Sequence, residues 1–148
     1  MKVVCDTVHA RGHSMITGKH RNTIEITKDE YVTERGTCII ACSSDKAVKD
    51  LNSELRELLK NDNTIVIVKI ITRNLSDIVI CRGSKNLKLS NDRKIIIRRS
   101  RYVDDSTLCI EANKASIDID RKIISMLCMC EEVTIKICAI DVSDILNM

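Results

Sequence analysis

The sequence predicts an α+β fold built from two pseudo-symmetric β-β-β-α-β units that share one largely antiparallel sheet or barrel, with two helices outside. Apolar residues make up 44% of the chain, which has no Phe, Trp or Pro, so the core must be rich in the β-branched residues that favour strands. Short motifs recur about 70 residues apart, and each copy has one helical segment among several strand-like ones. The 148 residues are therefore predicted to form one domain, from units of about 1–73 and 74–148.

An internal duplication is indicated by matches that occur in the same order in both halves. Arg11-Gly12 recurs as Arg82-Gly83 at an offset of 71 residues, and the same offset relates the chain's two tyrosines. The other matched segments are Tyr31-Val32 with Tyr102-Val103, Asp45-Lys46-Ala47 with Asn113-Lys114-Ala115, and TIVIVKI (64–70) with TIKICAI (134–140). Because the tyrosines occupy matched places, we expect both to anchor the core.

Each predicted unit has the same elements in the same order. Three strands precede one helix, and a long strand follows it. In the helix, apolar residues recur at i, i+4, i+7 and i+8, which is the spacing of one buried stripe. Ser43 or Ser44, and Asn113, are the predicted helix N-caps. The predicted strands are 2–11, 23–27, 37–42 and 63–72 with helix 45–60, then 77–82, 94–98, 107–112 and 132–140 with helix 113–129.

The eight cysteines are predicted to be reduced and buried. Each lies in an apolar segment where Val or Ala would also fit, and no CxxC motif occurs. Cys38 and Cys42 are about 13 Å apart along a strand, too far to share a metal ion. We expect no metal and no cofactor. No apolar run is long enough to span a membrane, and the N-terminus lacks a signal-peptide segment, so we expect a cytoplasmic protein without a membrane partner.

Positive charge is concentrated in the middle of the chain. Residues 73–101 carry nine basic and two acidic side chains, although the net charge of the whole chain is only +3. This block is a candidate surface for nucleic acid, because cations can follow a phosphate backbone. The near absence of aromatic residues argues against it, since single-strand binders stack bases on such side chains, so the expected nucleic-acid partner is a structured RNA bound through shape and charge. Alternatively, the acidic C-terminal block neutralises the basic block within the fold. The candidate RNA-binding residues are Arg93, Lys94, Arg98, Arg99 and Arg101.

The polar loop RGHSMITGKH after the first strand holds two of the chain's three histidines. At an offset of 71, His13 matches Ser84, His20 matches Asn91 and His9 matches Ile80, so the second copy keeps the Arg-Gly turn but has no imidazole. The turn itself is therefore structural. The histidines have either specialised as a site in one copy or drifted neutrally in a surface loop.

These residues carry a resemblance to a known family. Arg11-Gly12-His13 and His20, followed by a Thr-x-Glu-x-Thr strand (23–27), a Gly-x-Cys-Ile-Ile strand (36–40) and an Asp-Lys-Ala helix start (45–47), resemble the archaeal domain-of-unknown-function family 371. The resemblance covers nearly the whole chain. One departure is Ser14, where the pattern has proline. The resemblance implies a small archaeal cytosolic protein and brings no function with it.

The loop suggests a binding site, and whether the protein is an enzyme stays open. His13 and His20 would form an acid–base pair, because imidazole exchanges protons near neutral pH. Arg11 and Lys46 would hold a small anionic or phosphorylated ligand, with Thr23 and Asp45 completing the set. No metal is assigned to the histidines, because a third ligand is not evident. The alternatives are RNA binding through the basic block and an adaptor role as a homodimer or larger homo-oligomer.

Overall fold

A computed structural model describes all residues, 1–148, as an α+β fold with two four-stranded sheets. The helices are short, and none is long and apolar enough to cross a membrane. The strands are β1 (Val3–Arg11), β2 (Thr23–Thr27), β3 (Ile39–Ala41), β4 (Thr64–Thr72), β5 (Leu75–Arg82), β6 (Lys94–Arg98), β7 (Thr107–Cys109) and β8 (Glu132–Asp141). The helices are α1 (Ser53–Leu59), α2 (Arg121–Cys128) and α3 (Ser143–Leu146).

The strands lie in two sheets, where the sequence predicts one sheet or barrel. Sheet A has the order β1-β8-β4-β5 and is antiparallel throughout. Sheet B has the order β3-β2-β6-β7, with an antiparallel central pair and a parallel strand on each side. Single bridges connect the sheet edges, from Arg11 to Cys42 and from Arg82 to Ile110. Each bridge lies where an Arg-Gly turn begins.

Each predicted long helix is in fact two elements. A 3₁₀ helix (Val48–Asp50 or Ser116–Asp118) comes first, and an extended residue separates it from α1 or α2. The α-helices begin after Asn52 and Asp120, whose side chains accept the N–H groups of Leu55 and Lys122. The predicted N-caps Ser43, Ser44 and Asn113 were wrong. Asn and Asp side chains bond to nearby backbone and thereby favour helix starts over helix interiors, which is why the helix is interrupted at these residues. The apolar stripe continues through the interruption, so its spacing alone predicts one long helix.

One core draws on both sheets and both larger helices, with 35 buried apolar residues. The two glycines of the Arg-Gly turns lie against helix ends. A Cβ atom on Gly12 would be 1.9 Å from the carbonyl oxygen of Leu127, and one on Gly83 would be 2.5 Å from that of Leu59. Each turn therefore requires glycine, because the backbone of the opposite unit's helix occupies the space of a side chain.

Two predictions about individual side chains were wrong. Cys5 is disulfide-bonded to Cys138, its cross-strand neighbour on β8, and Cys81 is bonded to Cys109. The sequence pattern could not show these pairs because it does not give the register between distant strands. Tyr31 and Tyr102 are exposed, and Tyr102 lies under the guanidinium of Arg98 at 4.8 Å. Their matched places reflect matched loops outside the core.

Candidate functional site

The two histidines of the loop each hold a backbone turn. Nδ1 of His13 accepts the N–H of Met15 at 3.0 Å, and Nδ1 of His20 accepts the N–H groups of Asn22 and Thr23 at 3.1 Å. An accepting Nδ1 carries no proton, so the neutral ring has its proton on Nε2. No hydrogen bond joins His13 to His20.

The second half of the chain makes the same turns with other residues. Oγ of Ser84 accepts the N–H of Asn86 at 3.1 Å, and Oδ1 of Asn91 accepts those of Arg93 and Lys94 at 2.8 Å. Ser84 and Asn91 are the residues that sequence matching sets against His13 and His20. The acceptor atom is therefore what both halves share, and imidazole is one of several groups that supply it.

Lys46 is held by an ion pair inside the fold. Its Nζ lies 2.7 Å from Asp6 and donates to the carbonyl oxygen of Thr7 at 2.9 Å. Burial raises the pKa of Asp6, but the hydrogen bonds from Lys46 and from the N–H of Asn52 outweigh it and bring the pKa below its usual value. Lys114 pairs with Asp77 in the same way in the second half.

Thr23 and His20 lie beside a buried acid. Oγ1 of Thr23 is 2.9 Å from Nδ1 of His20, and the thiol of Cys38 donates to Glu25 at 3.7 Å. Burial raises the pKa of the Glu25 carboxyl, and burial together with the charge of Glu25 raises the pKa of Cys38. A thiol held protonated in this way is a poor nucleophile.

Arg11 and Asp45 line a cleft of about 400 Å³ at the end of β1. Asp45 accepts the N–H of His9 through Oδ1 and donates its own N–H to the His9 carbonyl oxygen, both at 2.9 Å. These bonds bring the loop after β3 to the open edge of β1. The remaining lining residues are Ala10, Ser43, Glu132, Val133 and Thr134.

The charge of Arg11 is only weakly engaged. Its guanidinium makes two long contacts, at 3.4 Å to Glu132 and 3.4 Å to the carbonyl oxygen of Cys130. The side chains of Arg11 and Glu132 are 54% and 82% exposed. Exposed pairs with this geometry contribute little to stability, so an incoming acid group can replace Glu132 at low cost.

The corresponding place in the second half is closed by charge pairing. Arg82 lies 3.0 Å from Glu111, which occupies the position of Ser43, and Arg101 lies 2.5 Å from the same carboxylate. These two cations lower the pKa of Glu111. Ile80 stands where the first half has His9. No cleft occurs at this end of β5.

The basic block of residues 73–101 is largely paired within the fold. Six of its nine cations form ion pairs, namely Arg73, Arg82, Arg93, Arg98, Arg99 and Arg101. Arg98 is held by two side chains, since its guanidinium donates to Thr107 at 2.8 Å and to Asp104 at 2.9 Å. Burial raises the pKa of Asp104, but hydrogen bonds from Ser106 and the charge of Arg98 outweigh burial and lower this pKa to about 2. Lys85, Lys88 and Lys94 form no ion pair.

A second, smaller cleft of about 320 Å³ lies beside the exposed Tyr31. Its cation Arg93 is bound to Asp29 at 2.5 Å, and Lys28 is bound to Asp50 at 2.6 Å. Both charges are thus satisfied by the protein. No group of three or more His, Cys, Asp or Glu side chains in the chain is arranged to hold a metal ion.

The structure separates the residues that the sequence grouped into one site. Arg11 and Asp45 line the first cleft, His20 and Thr23 lie together elsewhere, and Lys46 belongs to an ion pair. Sequence reasoning did not select His9 or Ser43. A signal for His9 was present in the sequence, because this polar residue of the first strand matches the apolar Ile80 of the corresponding strand in the second half.

Comparison with known proteins agrees with the resemblance read from the sequence. The family model described as "Domain of unknown function (DUF371)" matches residues 8–140. An uncharacterized protein of Methanocaldococcus jannaschii, MJ0206, is 38% identical over 130 residues, which cover 88% of this chain and 96% of that protein. This chain belongs to the DUF371 family.

Proposed function

We propose that this protein binds a small anionic ligand, such as a carboxylate or phosphate ester, in the cleft at the end of β1. The observation that carries the proposal is the difference between Arg11, which lines a cleft and reaches Glu132 only at 3.4 Å, and Arg82, which has no cleft beside it and pairs with Glu111 at 3.0 Å. A planar guanidinium binds carboxylate or phosphate through two parallel hydrogen bonds. His9 and Ser43 add a proton-exchanging ring and a hydroxyl beside it.

The acids in the cleft narrow the choice of ligand. One oxygen of Asp45 is already bonded to backbone, and Glu132 is displaced when Arg11 turns to the ligand. The remaining carboxylate oxygens would accept from a hydroxyl or amino group of the same molecule. A ligand with an acid group and a nearby donor therefore fits better than inorganic phosphate alone. Acid–base chemistry on such a ligand would be carried by His9, with the loop residues His13 and His20 shaping the adjacent turns.

A matched pair of variants tests this proposal. We expect Arg11→Ala to weaken binding of glycerol phosphate at least tenfold in calorimetry, and Arg82→Ala to leave it unchanged. Both arginines sit at the same place in their unit, so Arg82→Ala controls for the general loss of one cation. Native mass spectrometry of the freshly purified protein would first show any retained ligand. Equal losses in the two variants, or no binding of small acids by the wild type, would refute the proposal.

The duplication is part of the same proposal. It is supported by an element order that repeats, by matched bridges at Arg11 and Arg82, and by matched ion pairs at Lys46 and Lys114. We propose that one unit kept an open cleft after duplication while the other closed. A cytoplasmic location also belongs to the proposal. Disulfides are rare in most cytosols but common in hyperthermophilic archaea, so alkylation of thiols in intact cells tests the location and the bonds together.

RNA binding is the alternative proposal, and the unpaired Lys85, Lys88 and Lys94 are what support it. Because six arginines of the basic block are paired with acids, fewer free positive charges remain for RNA than the sequence suggests. Binding of a structured RNA that falls steeply with salt, and is lost on reversing the charges of Lys85 and Lys88, would favour RNA binding over the small ligand. The homo-oligomeric adaptor would need a free surface, and the outward face of sheet A is one candidate.

A further inference from the structure

One face of sheet A is open to solvent and carries many apolar side chains. Most residues that point inward from its strands are buried, and the exceptions, Asp6, Leu75, Asp77 and Asp141, are half-buried. None of the residues that point outward on β1, β4, β5 and β8 is buried. We call the apolar part of this outward side, with its two central lysines, the lysine–isoleucine face. Its residues are Val3, Ile65, Ile67, Lys69, Ile78, Ile80, Lys136 and Ile140.

Three apolar residues of this face are exposed and the other three are half-buried. Val3, Ile78 and Ile80 are 56%, 44% and 46% exposed, and they come from the two edge strands. Ile67 lies between them as the cross-strand partner of both Ile80 and Cys138. A contiguous apolar surface of this kind marks an interaction site in soluble proteins.

The two lysines stand together at the centre of the face. Lys69 and Lys136 are direct cross-strand partners on the central strands, and neither forms an ion pair. Like charges directly opposite one another destabilise a sheet. What distinguishes this pair is that two cations face each other across neighbouring strands with no acid beside them, in the middle of an apolar surface.

The charge of this face argues against a second copy as its occupant. Two such faces packed centre to centre would bring four lysines together, and a buried like-charge cluster costs far more than the apolar contact returns. Nucleic acid is a poorer match, because the face has no aromatic side chain for stacking on bases. An acidic partner with its own apolar surface would satisfy both features at once.

We propose that the lysine–isoleucine face binds another protein, through an apolar surface that presents a pair of carboxylates to Lys69 and Lys136. This inference uses no residue of the ligand cleft, although Thr134 of the cleft lies two residues from Lys136 on β8. It also assigns the isoleucines and the lysines to one function, in which the apolar contacts supply affinity and the lysines select for acidic partners.

The chain itself provides a probe of the required chemistry. A Lys69→Glu, Lys136→Glu double variant carries the same apolar residues around a pair of carboxylates. We expect the wild type and the variant each to be monomeric, because like charges meet in either homodimer. An equimolar mixture should form a one-to-one complex in light scattering and native mass spectrometry, weakened at least tenfold by high salt.

Two controls make the result specific. A Lys85→Glu, Lys88→Glu variant has the same change in net charge away from the face and should not associate with the wild type. Adding Ile80→Asp to the acidic probe should abolish the complex. A mixture that stays monomeric would overturn the proposal, and so would a wild type that dimerises through this face. Binding of RNA that depends on Lys69 and Lys136 would overturn it in favour of a nucleic-acid surface.

Discussion

The end of β1 and the end of β5 have the same backbone hydrogen bonds and different side chains. In each, an arginine bridges to the strand edge of sheet B, and the loop residue Asp45 or Asn113 bonds both the N–H and the carbonyl of the strand. Even the positive φ is shared, at 51° for Ser43 and 53° for Glu111. Yet the first place is an open polar cleft, and the second is closed.

The comparison separates residues that build the fold from residues free to do something else. The glycines, the lysine–aspartate pairs and the loop acceptors have counterparts in both halves, so construction explains them. His9 and Ser43 differ in chemistry from the residues at the matching positions, which are Ile80 and Glu111. The side chains that differ are therefore the best candidates for function, and those that match are the best candidates for stability.

The largest effects are expected where both halves depend on glycine. We expect Gly12→Ala to lower the free energy of unfolding by about 3 kcal/mol and Gly83→Ala by about 2 kcal/mol, because each added Cβ atom meets backbone that cannot rotate away. The closer approach at Gly12 sets the order. Urea denaturation measures both changes. A small cost at either position would show that the turns adjust, and would weaken the structural interpretation of the Arg-Gly repeat.

The ion pairs at Asp6 and Asp77 should behave alike. We expect Asp6→Asn and Asp77→Asn each to cost about 2 kcal/mol at pH 7, because the aspartates accept from a half-buried lysine and from a helix N-terminus. Folding lowers the pKa of both carboxyls. Their contribution is therefore complete above the unfolded-state pKa of about 4 and is lost as the pH falls through the lower folded-state value.

The measurement is urea denaturation of the wild type and both variants between pH 7 and pH 2.5. The difference between wild type and variant should shrink toward the acid end in both cases. A large cost for Asp6→Asn and none for Asp77→Asn would indicate that Lys46 has a role that Lys114 lacks. That result would return Lys46 to the candidate ligand-binding residues.

Local sequence patterns predicted where the strands lie, but they did not predict which distant segments pair with one another. Apolar segments locate β1, β4 and β8 to within a residue or two, and the Arg-Gly match identifies both turns. Register is a different matter. The sequence sets Thr64 against Thr134, whereas the bonds from Gly12 to Glu131 and from Gly83 to Thr64 relate the last strands by 67 residues. The two strands β4 and β8 are too repetitive in Ile and Val for their sequences to fix this alignment.

The candidate site was only partly accessible from the sequence, for a similar reason. Arg11 and Asp45 were selected because they belong to short motifs, and they do line the cleft. Ser43 and Glu132 carry no motif, and only the approach of the loop after β3 to the β1–β8 edge brings them there. The disulfides between β1 and β8 and between β5 and β7 depend on the same long-range pairing.

Exchanging the residues at positions 43 and 111 is expected to have the smallest effect on stability. It also tests most directly why the first half has a cleft and the second half does not. Ser43→Glu should close the cleft by giving Arg11 the partner that Arg82 already has. Because position 43 already has the backbone conformation that Glu111 tolerates, we expect a stability change within about 0.5 kcal/mol and a loss of glycerol phosphate binding of at least tenfold.

The reverse change, Glu111→Ser, frees Arg82 but leaves Ile80 and Ile65 beside it, so it should not create a second site. Calorimetric titration of both variants distinguishes the cases. Binding gained by Glu111→Ser would mean that an unpaired arginine alone is enough, and that His9 and Asp45 do not define the ligand.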